Sequence, residues 1–164
     1  MKPQVSYRNL PQRFLKARES LMAHFRPILN HFGLTDQQWR ILRSLDEQAQ
    51  LEPRELCHLC QIHSASMAGM LARMEELALI QRSSVAGDQR RVAVRLAPKG
   101  NQLVSEMAPL IDLQYQRIEE AFGSAIFDAL FQSLDAFMAA QSQPVQPVDL
   151  PSKTPPEAAL TDGR

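Results

Sequence analysis

Between His63 and Lys99 the sequence HSASMAGMLARMEELALIQRSSVAGDQRRVAVRLAPK changes its hydrophobic period within a few residues, and few folds accommodate such a change. Met67, Met70, Leu71, Met74, Leu77 and Leu79 approximate the apolar stripe of a helix. Val92, Val94 and Leu96 instead alternate with Ala93 and Arg95, as in a half-buried strand. The period passes from about 3.6 to about 2 near Ile80. The intervening Ala86-Gly87-Asp88-Gln89-Arg90-Arg91 has turn chemistry and places two adjacent guanidinium groups at the tip of a hairpin. A helix followed by such a hairpin suits a reading helix for a DNA major groove, with an arginine-bearing wing that reaches phosphates or a minor groove. The plain alternative is an amphipathic helix packed on a solvent-facing hairpin with ordinary surface charges.

The start of that helix favours the first reading. Ser64, Ala65, Ser66, Met67, Ala68 and Gly69 are small or flexible, and a helix entering a groove must be slender there. The whole sequence of 164 residues balances eighteen basic against eighteen acidic residues, which argues against nonspecific coating of nucleic acid. Charge is uneven, however. Between His63 and Lys99 six basic residues face only Glu75, Glu76 and Asp88, and Asp88 is close enough to a wing arginine to fix its direction.

The rest of the chain reads as helices around this unit, one domain with extensions. Leu10, Phe14, Ala17, Leu21, Phe25, Ile28 and Phe32 mark a long helix that ends near Gly33 and is kinked or tightened at Pro27. Arg18 projects from its apolar stripe. Either it pairs with a carboxylate or snorkels to water, or it serves as counter-ion to an acidic ligand. Thr35 and Gln38 form a capping box ahead of Trp39, Ile41, Leu42 and Leu45. Trp39 is either plain core or one wall of an aromatic-ligand pocket. Pro53 opens a short helix with Leu56, Leu59 and Cys60 on its buried face, and Gln61-Ile62-His63 completes a helix-turn-helix in which Ile62 plugs the turn.

Pro98 starts another helix through Leu103, Met107, Leu110, Ile111 and Ile118 to about Phe122, and Ser124 is expected to cap a last one with Ile126, Phe127, Leu130, Phe131, Leu134, Phe137 and Met138. These end helices are too apolar for a small monomer's surface. They predict either a two-fold dimer, with reading helices on the order of 34 Å apart, or a monomeric bundle. The expected organisation is a regulator domain over 8–141, with its DNA-reading part at about 34–100 and dimerisation helices at about 8–33 and 98–141. A disordered tail over 142–164, rich in proline and glutamine, follows. The sequence predicts no signal peptide or membrane span, and hence a cytoplasmic protein. Cys57 and Cys60 form a C-x-x-C with His58 and His63 nearby. On a helix such a pair behaves as small hydrophobes, and the alternative is a redox-responsive repressor acting through Cys57 or Cys60. With no phosphate loop, zinc-hydrolase histidine pair or nucleophile triad, neither an enzyme, a metal nor a cofactor is expected.

Taken in order, Leu34-Thr35-x-x-Gln38-Trp39, Glu55-Leu56, Leu71-x-Arg73-Met74-Glu75, Asp88-x-Arg90-Arg91, Val94-x-Leu96 and Lys99-Gly100 resemble the winged-helix MarR-type transcription regulators over roughly residues 8–140. Ala97 departs from the family's usual threonine cap. Ala17-Arg18-Glu19, Met22, Phe25-Arg26-Pro27 and Gln37-Gln38-Trp39-Arg40 are similar to the subgroup that represses homoprotocatechuate (4-hydroxyphenylacetate) degradation operons. The resemblance implies a mainly α fold with a small β-hairpin wing. It also implies a homodimer on a palindromic operator, released by a phenolic acid held between dimerisation helices and reading domain. It further implies Ser64, Ser66, Met67 and Arg73 as major-groove or phosphate contacts, and Arg90 and Arg91 as wing contacts. Asp88 would orient Arg90, and Arg18, Met22, His24, Trp39 and Arg40 would form the ligand pocket.

Overall fold

In the computed structural model of the chain, residues 4–85 and 87–151 are described, Gln89 through its backbone only. The elements run α1 (Leu10–His31), α2 (Asp36–Glu47), α3 (Pro53–Cys60), α4 (Ser64–Glu76), β1 (Ile80–Val85), β2 (Asp88–Leu96), α5 (Pro98–Phe122) and α6 (Ser124–Ala139), then a 3-10 turn at Ala140–Ser142. The chain divides into two compact units, Met1–Ala121 and Phe122–Arg164.

Local chemistry accounts for most boundaries in the first unit. Asn9 caps α1, its side chain accepting from Gln12 N–H at 3.0 Å. Pro27 lies inside α1, and Gly33 at φ 68° turns the chain out of it. Thr35 accepts from Gln38 N–H at 3.2 Å while Gln38 accepts from Thr35 N–H at 2.9 Å, the reciprocal box expected at the start of α2. Pro53 opens α3, and Gln61, in the left-handed region at φ 51°, ends it. Ile62 is 4 % exposed and fills the turn before α4.

The core collects Phe25 and Leu29 of α1, Trp39, Ile41, Leu42 and Leu45 of α2, Leu56 and Cys60 of α3, and Met67, Leu71 and Met74 of α4. Val94 and Leu96 of the hairpin and Val104, Met107, Ile111 and Ile118 of α5 complete it. The period change falls where expected, with β1 starting at Ile80. β1 and β2 pair antiparallel from Ile80↔Leu96 to Ser84↔Val92, with an irregularity between Ser84 and Val85. Leu51 adds a third, single-residue rung: its N–H and C=O bond Val94 at 3.0 and 2.8 Å, tying the hairpin's base to the chain ahead of α3. Behind it, Gly100 lets α5 lie against the Leu79 carbonyl, where a Cβ would sit 2.0 Å from the oxygen.

Several local expectations need correction. Leu77 and Leu110, expected on apolar stripes, are 37 % and 42 % exposed. Leu59 is exposed, because the buried face of α3 centres on Leu56 and Cys60 and Leu59 lies about 100° around the helix from Cys60. Val92, expected on the buried strand face, is 38 % exposed, whereas Ala93 beside it is buried, so β2 is covered on both sides only from Ala93 toward its base. Ser124 is the first residue of α6 rather than its cap; Gly123, at φ 94°, holds the cap position and its carbonyl accepts from Ile126 N–H at 3.1 Å.

In the second unit, Phe122, Phe127 and Phe131 form a ring row with centroids 6.4 and 6.3 Å apart. No residue of α6 is buried, and Ile126, Leu130, Phe131, Phe137 and Met138 stand exposed along it. Residues 143–151 are exposed and carry no regular structure; the remainder of the expected tail lies outside the described residues.

Candidate nucleic-acid interface and effector site

α3, the Gln61-Ile62-His63 turn and α4 form the helix-turn-helix, and the face α4 presents is the one its composition predicts. Ser64, Ala65, Ser66, Ala68 and Gly69 are exposed, and no side chain caps the helix start at His63. The first N–H groups of α4 have no intrahelical partner by construction, so they and the two serine hydroxyls suit phosphate and base edges. Arg73, one to two turns on, is exposed and 3.6 Å from Glu76. Met67 is the exception. It is 1 % exposed and packs in the core, so it belongs to the apolar stripe that holds α4 in place, not to the residues presented to DNA.

The wing is fastened at both strands. On β1, Arg82 binds Glu75 of α4 three times, through its backbone N–H (3.1 Å), Nε (2.8 Å) and Nη2 (2.5 Å). These bonds hold the Glu75 carboxyl below the usual carboxylate range. An open cleft of 420 Å³ beside this pair is lined by Glu75, Arg82, Ser83, Ser84 and Val92. On β2, Arg91 is bonded to Glu52 at the start of α3. Arg90 is exposed, and among the described residues its guanidinium has no ion-pair partner. Asp88 acts on Arg90 through the backbone: its carboxylate accepts the Arg90 N–H at 3.0 Å and so shapes the tip rather than gripping the guanidinium.

A second polar cluster lies where α1 meets α2. Arg18 reaches Asp36 at 2.5 Å, and Arg40 lies 3.6 Å from the same carboxylate. Arg18 therefore has an internal carboxylate partner. Arg40 also donates to the Cys60 carbonyl, while its Nε is buried without a hydrogen-bond partner among the described residues. Trp39, 9 % exposed, occupies the next face of α2, and Met22 is half-buried on α1. His24 is exposed, and its position on α1 turns it away from the face shared by Arg18, Met22 and Phe25.

The structure adds three residues to this cluster that the sequence pattern did not single out. Asp36 is the anchor on which both arginines converge. Tyr115 of α5 packs in a tilted pair on Phe25, ring centroids 4.6 Å apart, and Arg43 bonds Glu47 at 3.0 Å, the chief cause that raises its pKa, with Tyr115 adding to it. Asp36, Trp39, Arg40 and Arg43 recur at helical spacing, which is the one sequence signal that could have grouped them.

The two cysteines are free thiols, Cys57 half-buried and Cys60 buried. Burial pushes the Cys60 thiol up, away from the thiolate that redox chemistry uses. Among the described residues no three His, Cys, Asp or Glu side chains are grouped to hold a metal ion, and no helix is long and apolar enough to cross a membrane.

Comparison with known proteins agrees with this layout. A family model described as MarR family matches residues 32–91, from the end of α1 through the wing tip. The HTH-type transcriptional regulator FarR of Neisseria gonorrhoeae is 42 % identical over 109 residues, covering 66 % of this chain and 75 % of that protein. The chain belongs to the MarR family. This MarR-family protein is a DNA-binding transcriptional regulator and not an enzyme. It is also similar to the homoprotocatechuate degradative operon repressor of Escherichia coli, 35 % identical over 125 residues and covering 76 % of this chain and 84 % of that one. Among solved structures, NadR in complex with 4-hydroxyphenylacetate superimposes with a TM-score of 0.73 at 37 % identity, over 85 % of this MarR-family chain and 98 % of NadR.

Proposed function

We propose that this regulator is a homodimeric repressor of an aromatic-acid catabolic operon, of the homoprotocatechuate or 4-hydroxyphenylacetate type, released from a palindromic operator by a phenolic acid. Acting on chromosomal DNA, it works in the cytoplasm. Ser64, Ser66 and Arg73 read or grip the major groove, and Arg90 reaches the minor groove or its phosphates. The exposed apolar faces of α1, with Leu10, Phe14 and Leu15, and of α6 are each covered by a second copy of the chain.

One observation carries the effector reading: Arg18 and Arg40 share a single carboxylate, Asp36, beside buried Trp39. Two guanidinium groups against one acid leave a net positive charge, and Arg40 Nε is a buried donor awaiting an acceptor. An aromatic carboxylate satisfies both needs, and Trp39, Phe25 and Tyr115 supply apolar walls with a phenol and an indole N–H. The carboxylate of the effector then competes with Asp36 for the arginines. This shifts the dimer toward a state whose reading helices have the wrong separation, by no more than the effector's preference between the two states. Support comes also from the similarity to the operon repressor and to NadR with its bound 4-hydroxyphenylacetate.

The test is a release titration on a duplex spanning the region upstream of the protein's own gene, with hydroxylated phenylacetates, cinnamates and benzoates. Release by one of these acids at concentrations where its non-hydroxylated or esterified analogue is inert is the expected result. Operator binding indifferent to the whole panel would refute the effector assignment.

A further inference from the structure

Arg90 and Arg91 are neighbours on β2, in the irregular stretch between the Ser84↔Val92 and Val85↔Asp88 pairs, and their side chains meet different surroundings. Arg91 takes the face toward the helices. Its Nε donates to Glu52 Oε1 at 2.9 Å, and its Nη2 donates to the same oxygen. Glu52 is itself held, its backbone N–H donating to Glu55 at 2.7 Å, and it is the more sheltered partner, 30 % exposed against 57 % for Arg91. Asp88 and Glu55 add negative potential around the same guanidinium. Arg91 is thus already engaged by a carboxylate, and a DNA phosphate approaching it must compete with Glu52. The Arg90 guanidinium has no such ion pair among the described residues; Asp88 meets only its backbone N–H.

We propose that Arg91 is a positioning residue: the Glu52–Arg91 link fastens β2 to α3, as Glu75–Arg82 fastens β1 to α4, and together they fix the angle at which Arg90 is offered to the duplex. This rests on the reading of the wing as a DNA contact. It assigns opposite roles to two adjacent arginines that the sequence presents as a pair. The link joins residues 39 apart in sequence, and among the described residues no other hydrogen bond or ion pair joins the hairpin's outer half to the start of α3, the Leu51 rung lying at its base.

The two roles for Arg91 predict opposite signs for Glu52→Gln. If Arg91 were a phosphate contact restrained by Glu52, removing a negative charge beside the DNA would tighten binding. As a positioning link, its loss weakens binding about three- to tenfold for a dimer with two wings, with the salt slope unchanged because every phosphate keeps its cation. The full-length protein is titrated by fluorescence anisotropy against the duplex from upstream of its own gene, across a range of salt. Arg91→Glu is expected to weaken binding further, and the charge-swapped double variant, Glu52→Arg with Arg91→Glu, to recover to within about threefold of the parent. A phosphate contact cannot be rescued in that way.

Tighter or unchanged binding in Glu52→Gln, or a double variant as weak as Arg91→Glu alone, overturns the proposal. Arg90→Ala in the same series separates the layers. Loss of affinity and slope there, with a tighter Glu52→Gln, sinks the positioning role alone; intact affinity and slope sink the wing reading and this proposal with it.

Discussion

Gly69→Ala and Gly100→Ala add the same methyl group and are expected to move stability in opposite directions. At Gly69, on the exposed face of α4, the new Cβ meets nothing within 4 Å, so the change only removes unfolded-chain freedom and stabilises by about 0.5–1 kcal/mol. At Gly100, in the first turn of α5, the Cβ falls 2.0 Å from the Leu79 carbonyl oxygen and 3.0 Å from its carbon. No rotamer relieves a contact with backbone. Reaching even 3.0 Å from the oxygen requires α5 or the α4–β1 turn to move by about 1 Å. That carbonyl also accepts Ala97 N–H at 3.0 Å, and Leu79, Ile80 and Ala97 are all buried. Overpacking costs about 1–3 kcal/mol, a weakened buried hydrogen bond adds about 1, and the better helix propensity of alanine returns about 1, leaving a net loss of about 1–3 kcal/mol. Trp39, the only tryptophan and a core residue, reports urea unfolding directly. Protein concentration is held fixed, because association shifts the midpoint. A Gly100→Ala midpoint at or above that of the parent, with unchanged denaturant slope, would refute the reasoning about this contact.

Three further outcomes are expected. Arg90→Ala should weaken operator binding and lower the slope of log affinity against log salt by about 0.9 for each phosphate that Arg90 no longer neutralises, about 1.8 for two wings, with the circular dichroism spectrum unchanged. Arg18→Ala should preserve operator affinity, since its exposed pair with Asp36 contributes under about 1 kcal/mol, yet abolish release by a phenolic acid; undiminished release would remove Arg18 from the pocket. Glu75 has its carboxyl lowered in the folded protein, so the stability it contributes is present above the ordinary value of 4.5 and is lost as pH falls through the lowered folded value. Hydrogen exchange at the Arg82 N–H, which bonds Glu75, should accelerate over that acid window beyond the intrinsic trend, and Glu75→Gln should remove the step.

Sequence alone determined the parts governed by neighbours three or four residues apart. The Thr35–Gln38 box, Pro53 at the start of α3, Ile62 in the turn and the period change at Ile80 all depend on local backbone chemistry or on one-sided burial, both of which leave a regular imprint on the chain. The family layout was legible for the same reason, as an ordered set of such local signals. Where one residue satisfied two patterns, the sequence was ambiguous. Met67 lies both on the apolar stripe and in the slender start of the reading helix, and only the packing of α4 against its neighbours places it in the core.

Tertiary structure decided which charges meet. Arg18 with Asp36, Arg91 with Glu52 and Tyr115 with Arg43 and Phe25 join residues 18 to 90 positions apart, and no periodicity encodes a partner at such a distance. The Leu51–Val94 rung escaped notice likewise, because a one-residue strand has no alternation to read. A guanidinium looks the same in sequence whether it faces phosphate or carboxylate; its neighbours in space decide, and the bond to Glu52 separates Arg91 from Arg90.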